Sequence, residues 1–198
     1  MTTGTRLLAK AAAAALAAVM LSGAAAQRPL DEFRLMRMLA GVQTARATFV
    51  ETRYSPLLKS PLVSRGSLTY RRPDQLEKLV VSPQKERIAL RGDRLTIDSA
   101  AAGRREINVG AATAGIDALI EAVRATRAGD LAGLERNFVV AVTGTHDDWQ
   151  LRLKPRTAAI ARYISAVSVW GSGARLQRIE VWEASGDRTV TEIDEATD

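Results

Sequence analysis

Residues 62–73 have the sequence LVSRGSLTYRRP, and this stretch decides the fold class of the chain. Every second residue from Leu62 to Tyr70 is apolar or small, and mostly polar residues lie between them. Such a period of two is typical of a β-strand that buries one face. The following Arg72-Pro73-Asp74 predicts a turn.

The same alternation continues on both sides of this stretch. Including it, we predict about eleven strands: 45–50, 62–70, 76–81, 87–90, 94–98, 106–109, 138–142, 149–153, 163–170, 176–183 and 188–193. Gly, Pro and Asp residues separate the strands at the spacing of an antiparallel meander. A sheet of this size must curl or close, and its apolar face needs a cover.

Two amphipathic helical regions can provide that cover. The first starts near Leu30 and ends at Gly41, with apolar residues at near-helical spacing. The second has an apolar stripe from Ile116 to Val123, and Asp130 caps a shorter helical piece after it. A sheet that these helices cover loosely would enclose a space suited to an apolar ligand.

The first residues predict a secretory signal peptide. Arg6 and Lys10 precede the apolar stretch 11–21, and the small residues 24–26 fit a cleavage site. The apolar stretch is too short to cross a bilayer of about 30 Å. We therefore expect residues 1–26 to be removed, residues 27–198 to form a single domain, and the protein to be periplasmic.

Composition excludes several classes of function. The chain has 198 residues and no cysteine, which rules out disulfide scaffolds, thiolate metal sites and cysteine nucleophiles. Its formal charge of +6 comes from scattered basic residues, so nucleic acid is not an expected partner. We expect a monomer without a cofactor.

No arrangement of polar residues predicts catalysis or a metal site. The only histidine, His146, stands beside Asp147 and Asp148 in a stretch that predicts a solvated hairpin turn. Glu51 and Glu77 could form a carboxylate pair, but outward-facing strand glutamates are far commoner. We assign no catalytic and no metal-binding residue.

The order of these features resembles the LolA family of periplasmic outer-membrane lipoprotein carriers. The resemblance rests on the signal peptide and first helix, then 49–51 (FVE), 66–73 (GSLTYRRP), the Gly92-Asp93 turn and the helical insert before the last hairpins. It implies an α+β, mainly β fold, in which an unclosed antiparallel half-barrel under a helical lid holds acyl chains in a hydrophobic cavity. It also implies that Arg72 locks the lid of the empty cavity, since the arginine before Pro73 does so in the family.

The expected cavity lining combines the aromatic residues and the helix stripes with this resemblance. The lining residues are Phe33, Met36, Phe49, Leu68, Tyr70, Leu76, Ile116, Leu119, Ile120, Val123, Phe138 and Trp149. The resulting hypothesis is a carrier that shuttles acyl chains of lipoproteins, fatty acids or phospholipids between the inner and outer membranes. An inner-membrane transporter and an outer-membrane acceptor would be its partners.

Two features leave other interpretations open. The chain ends five residues after Ile193, where lipoprotein carriers of the family continue into a further loop and strand, and the insert 110–137 is rich in Ala and Arg. A cargo other than lipoproteins fits both features. The alternative function is a sensing module of the same fold that binds lipid or protein without transfer, and an enzyme of envelope lipid metabolism is the least favoured class.

Overall fold

The computed structural model describes residues 29–111 and 114–196, apart from the side chain of residue 111. The predicted signal peptide and its cleavage site after Ala26 lie outside these residues.

In the described part of the chain, eleven strands form one antiparallel sheet. The strands are β1 (Thr44–Tyr54), β2 (Leu62–Arg71), β3 (Gln75–Ser82), β4 (Glu86–Arg91), β5 (Arg94–Ser99), β6 (Gly103–Asn108), β7 (Phe138–Gly144), β8 (Trp149–Pro155), β9 (Ile164–Ser172), β10 (Arg175–Glu183) and β11 (Arg188–Glu195). The predicted number of strands is therefore confirmed, and most strands extend slightly beyond the predicted bounds.

The two meanders join through their first and last strands. The order across the sheet is β6-β5-β4-β3-β2-β1-β11-β10-β9-β8-β7. In the central pair, Ala47 lies opposite Glu195 and Phe49 opposite Ile193. Because β6 and β7 lie at opposite ends of this order and do not pair with each other, the sheet is an unclosed half-barrel, as expected.

Four α-helices accompany the sheet in the described residues: α1 (Glu32–Ala40), α2 (Ala114–Ala128), α3 (Leu131–Asn137) and α4 (Ala158–Ala161). Asp31 and Asp130 cap α1 and α3, each with its carboxylate accepting a hydrogen bond from a backbone N–H of the first turn. Helix α4 was not predicted, because a single turn after Thr157 is too short to show periodicity.

Leu30, just before α1, and Glu32, its first residue, cover part of the free edge of β7. The backbone N–H of Leu30 donates to the carbonyl of Gly144 at 3.0 Å. The carboxylate of Glu32 accepts from the N–H of Val142 at 3.3 Å. Part of the hydrogen-bonding capacity of this edge is thus used within the chain.

The buried apolar residues form two separate clusters. The larger one lies between α1, α2 and strands β7 to β10 and includes Leu35, Leu39, Trp149 and Leu151. The smaller one is formed by Leu90, Leu95 and Val109 with partly buried neighbours that include Ile120 of α2. None of the helices in the described residues is long and apolar enough to span a membrane.

Gly66 allows β1, β2 and β3 to approach closely. A Cβ atom at this position would overlap the carbonyl oxygen of Leu79 and would lie 2.9 Å from Cε1 of Phe49. The pairing of β2 with β3 shifts register between Arg65 and Gly66. The glycine in the stretch that decided the fold class is therefore a packing requirement of the sheet.

We predict that Gly66→Ala lowers the free energy of unfolding by about 2 kcal/mol or more, because backbone and an aromatic ring must both move. The matched control is Gly110→Ala, whose Cβ would have only an ordinary contact of 3.6 Å with Asn108. The control should change stability by less than about 0.5 kcal/mol. Urea denaturation of both variants checks this, and equal stabilities would contradict the packing role of Gly66.

Candidate ligand-binding cavity

A cavity of about 390 Å³ lies between the helix-covered face of the sheet and α2. Its apolar walls come from α2 and seven strands: Ala45, Ala47, Leu68, Tyr70, Leu76, Ile88, Leu90, Leu95, Leu119, Ile120, Val123, Leu176, Ile179, Val181 and Ile193. Its volume is within the range of small-molecule sites, and its walls suit an apolar ligand.

The strand and helix periods explain which residues reach the cavity. On β2, Leu68 and Tyr70 are two positions apart and therefore point to the same face. On α2, Leu119, Ile120 and Val123 form one stripe at helical spacing and make the roof. The roof therefore belongs to the element whose stripe was the clearest helical signal in the sequence.

The residues expected to line the cavity occupy three kinds of position. Six of them contact it: Leu68, Tyr70, Leu76, Leu119, Ile120 and Val123. Four are almost fully buried in the protein interior, outside the cavity wall: Met36, Phe49, Phe138 and Trp149. Two are exposed, Phe33 by 72% and Ile116 by 48%.

Helix geometry accounts for the exposed positions. The buried face of α1 consists of Leu35, Met36 and Leu39, and Phe33 lies outside it. The buried positions of α2 include Ala118 and Ala122, small residues that let the helix approach its neighbours closely. Sequence reasoning missed the lining residues Ile179 and Val181 of β10 and Ile193 of β11. The signal that could have found them is the alternation of apolar and polar residues along the two predicted strands.

A buried ion pair lies in the cavity wall. Nη2 of Arg127 on α2 donates to Oε1 of Glu195 on β11, and both side chains are less than 10% exposed. The same oxygen accepts from the backbone N–H of Leu176 at 3.1 Å. The guanidinium carbon lies 5.6 Å from the ring centre of Tyr70. Because unpaired buried charges are costly, each partner depends on the other.

A second polar cluster lies in a more exposed part of the wall. Oε2 of Glu51 accepts from Nζ of Lys78 at 2.6 Å and from the hydroxyl of Thr191 at 3.1 Å. The Lys78 ammonium lies 5.0 Å from the ring centre of Phe49, within the range of a cation–π contact. The expectation that Glu51 faces outward is wrong, because it lies on the helix-covered face and lines the cavity.

Glu51 and Glu77 do not form an acid–base pair. The carboxylate of Glu77 accepts from Nη2 of Arg87 at 2.6 Å, and this hydrogen bond holds the pKa of Glu77 below its usual value. Each glutamate is bonded to its own cation, Lys78 for Glu51 and Arg87 for Glu77. This arrangement is typical of structural ion pairs.

Arg72 contacts the helical layer. Its Nη1 donates to the carbonyl of Ala40, the last residue of α1, and its backbone N–H donates to the carbonyl of Gln43 at 2.8 Å. The last carbonyls of a helix lack partners within the helix, and an arginine beside them satisfies one and complements the helix dipole. The side chain thus connects the end of β2 to the end of α1.

His146 lies away from the cavity, in the exposed connection between β7 and β8. Its Nδ1 is 2.8 Å from Oδ1 of Asp147, and both side chains are about two-thirds exposed. Among the residues that the structure describes, no group of three histidine, aspartate or glutamate side chains is arranged to hold a metal ion.

Comparison with known proteins identifies relatives at the level of family and fold. A family model described as outer membrane lipoprotein carrier protein LolA-like matches residues 24–198. No curated protein matches the chain.

Three solved structures are similar at low sequence identity. A LolA superfamily protein from Nitrosomonas europaea is 11% identical, with a TM-score of 0.45 over 85% of this chain and 94% of that one. A DUF1329 family protein from Desulfovibrio piger is 12% identical, with a TM-score of 0.47 over 82% and 90%. The MucA/MucB complex of Pseudomonas aeruginosa is 12% identical, with a TM-score of 0.46 over 84% and 57%.

The environment of Tyr70 predicts a measurable titration. Burial raises the pKa of Tyr70, and the positive charges of Arg72 and Arg127 partly oppose the rise. The difference in absorbance between the wild type and Tyr70→Phe should therefore show a phenol that ionises above the usual pH of about 10. An ionisation at or below that pH would contradict the buried position of Tyr70.

The raised pKa of Tyr70 also makes the free energy of unfolding depend on pH. Because the folded state holds the Tyr70 proton more tightly than the unfolded state does, the protonated phenol favours the folded state. This contribution to the free energy of unfolding is fully present below about pH 10. It is lost as the pH rises through the folded-state pKa. Tyr70→Phe should lose less stability than the wild type over this alkaline range, which denaturant melts at successive pH values would show.

Proposed function

The chain belongs to the LolA-like family of outer membrane lipoprotein carrier proteins, and from this premise we propose that it binds acyl chains in its cavity and carries them between membranes. The cargo is the acyl part of lipoproteins or of other lipids. The proposal assigns binding and release to the protein and no covalent chemistry.

The observation that carries the proposal is the apolar cavity between the sheet and α2. Each buried methylene contributes about 0.8 kcal/mol, so ten of them contribute about 8 kcal/mol, which corresponds to roughly micromolar affinity. Such an affinity suits a carrier because the cargo must also be released. The Leu119, Ile120 and Val123 roof would exclude water from the bound chain.

Arg72 would control access by holding α1 against the end of β2. Its bond to the Ala40 carbonyl favours the state in which the helical layer is docked on the sheet. A ligand that needs the undocked state binds more weakly in proportion to how rarely that state is populated. The strength of this hydrogen bond would therefore set the balance between loading and release of the acyl chain.

The proposal places the protein in the periplasm, after export by the signal peptide at residues 1–26. Residues 27–198 would act as one domain. An inner-membrane transporter would load the protein and an outer-membrane acceptor would unload it.

Native mass spectrometry with lipid extraction tests the proposal. The protein would be purified without detergent from the compartment to which it is exported. A bound acylated species supports the carrier and identifies its cargo. An empty protein that also fails to take up a fluorescent fatty acid contradicts it.

Transfer between vesicles separates the carrier from a sensing module. Donor vesicles holding a fluorescent phospholipid and unlabelled acceptor vesicles are mixed with and without the protein. A carrier accelerates the appearance of the label in the acceptor vesicles. Binding without accelerated transfer would favour the sensing module.

We predict that Ala47→Phe weakens the binding of a fluorescent fatty acid by at least about tenfold, because the added ring occupies the cavity that Ala47 lines. The matched control is Ala141→Phe, which adds the same ring at an exposed position of β7. Fluorescence titration measures both, and denaturation confirms that both variants fold. Unchanged affinity in a folded Ala47→Phe would show that the acyl chain binds elsewhere.

We predict that Arg72→Leu increases the retention of bound acyl chains by about tenfold or more and has a smaller effect on the free energy of unfolding. Loss of one charged hydrogen bond shifts the helical layer toward the undocked state by this order. Arg71→Leu, at the neighbouring exposed position, is the control. The measurement is the rate of release to acceptor vesicles. An unchanged rate in a folded Arg72→Leu variant would contradict the role of Arg72 in holding the helical layer on the sheet.

A further inference from the structure

The connection between β1 and β2 holds apolar side chains in water. Residues 54–62 form this connection together with the strand ends beside it, and we call them the hairpin tip. Leu57 is 93% exposed and Leu58 45%, and Tyr54 and Leu62 at the two ends of the tip are also exposed. Single exposed apolar residues are common, but a group of them at one point of the surface is typical of a contact site.

The hairpin tip is held in an ordered conformation. The backbone N–H of Leu58 donates to the carbonyl of Ser55 at 3.0 Å, which closes a turn with Pro56 at its second position. At the base of the tip, Nη2 of Arg53 donates to Asp187 of the neighbouring β10–β11 connection at 2.7 Å. The leucines are therefore presented to solvent by a fixed turn.

The hairpin tip is surrounded by positive charge. Residues 52–66 include Arg53, Lys59 and Arg65 and no acidic residue. Lys59 and Arg65 are exposed, and neither forms an ion pair with another residue that the structure describes. Lys85, in the β3–β4 connection beside Arg65, is exposed as well. Apolar side chains among free cations complement a surface that is apolar inside and negatively charged outside.

The more accessible end of the cavity lies toward the hairpin tip. At the far end, the Glu195 side chain, opposite Ala47, is 7% exposed. Four residues further along β1, the Glu51 side chain is 22% exposed and that of its partner Lys78 is 26% exposed. Strand β1 then continues to Tyr54 and the tip. A surface that contacts the tip would therefore adjoin the accessible end of the cavity.

We propose that the hairpin tip inserts Leu57 and Leu58 into the surface of a membrane that contains anionic phospholipid. Lys59 and Arg65 then lie at the level of the lipid headgroups. A protein partner is matched less well, because a stable protein interface buries more than about 1,000 Å² and one hairpin tip offers little of that area. The inference concerns the outer surface of the protein and does not depend on what the cavity binds.

Sedimentation with sucrose-loaded vesicles measures this docking for the purified exported protein. The vesicles contain equal parts of phosphatidylcholine and phosphatidylglycerol, or phosphatidylcholine alone. Leu57→Gln with Leu58→Gln should lower the partition coefficient on the anionic vesicles by about tenfold or more, because two apolar side chains are no longer available for burial. The matched control, Phe33→Gln with Ile116→Gln, removes exposed apolar side chains from the helices and should change it by less than about twofold.

A second pair of variants tests the contribution of charge. Lys59→Gln should lower the partition coefficient on the anionic vesicles by about three- to fivefold and leave binding to phosphatidylcholine unchanged. Lys154→Gln removes the same charge from an exposed position of β8. It should leave binding to both kinds of vesicle unchanged.

The absence of cysteine allows the location of the tip to be measured directly. Leu57→Cys would carry a single nitrobenzoxadiazole dye, whose emission strengthens and shifts to the blue when the dye leaves water. The anionic vesicles should produce this change at position 57. They should not produce it in the control Val139→Cys, at an exposed position of β7. This measurement remains available if the double glutamine variant does not fold.

Three results would overturn the inference: a wild type that does not bind the anionic vesicles, a dye at position 57 that stays in water on the bound protein, or unchanged docking of the folded leucine variant. The exposed leucines would then belong to a contact with a protein. The proposed function is tested separately, because Leu57 and Leu58 do not line the cavity and their replacement should leave the uptake of a fluorescent fatty acid unchanged. Failure of docking with intact uptake therefore refutes this inference alone, and failure of uptake with intact docking refutes the proposed function alone.

Discussion

The pairing of β1 with β11 is the constraint on which the rest of this structure depends. It joins two meanders into one sheet, and it places the last strand beside the first in the middle of the molecule. Glu195 thereby lies opposite Ala47, within reach of Arg127 on α2. Without this pairing, the floor of the cavity would be split between two separate sheets and the roof helix would have no buried partner on β11.

The cavity exists because the helices fill only part of the face they cover. Over strands β7 to β10 the large residues of α1 and the alanines of α2 form a dense core, whereas over β1 to β5 the roof leaves open space. Four of the charged groups that line this space form two ion pairs, Arg127 with Glu195 and Lys78 with Glu51. Paired charges lower the cost of burial and leave a cavity that does not attract free ions strongly.

The sequence predicts the strands, their antiparallel meanders and the roof well, but not the pairing that joins the two meanders. Alternation in residues 62–70 places Leu68 and Tyr70 on the cavity face, and three of the four stripe residues, Leu119, Ile120 and Val123, line the cavity, whereas Ile116 at the start of the stripe is exposed. The pairing of β1 with β11 joins residues far apart in the chain, and no local pattern reports such a contact. Phe33 was expected in the cavity because aromatic character does not reveal the side of a helix on which a residue lies.

The polar residues of the site were harder to predict for another reason. Arg127 and Glu195 are single charged residues near the ends of their elements, where charges usually face solvent. Their burial follows only from the tertiary contact between the end of α2 and the end of β11. Arg72 was identified through the resemblance of 66–73 to a family motif; from the residues alone it would have been an ordinary turn arginine.

The two edges of the half-barrel have a consequence for self-association. An open sheet offers unpaired backbone groups that can add a strand from another copy. Strand β6 carries exposed charged side chains, including Glu106, which is bonded to Arg94 and Arg104, and such charges discourage strand addition. Strand β7 has no charged residue, but Leu30 and Glu32, at and just before the start of α1, form hydrogen bonds with Gly144 and Val142 on its edge. The α1 segment therefore does more than cover the sheet: it shields an aggregation-prone edge for as long as it remains docked.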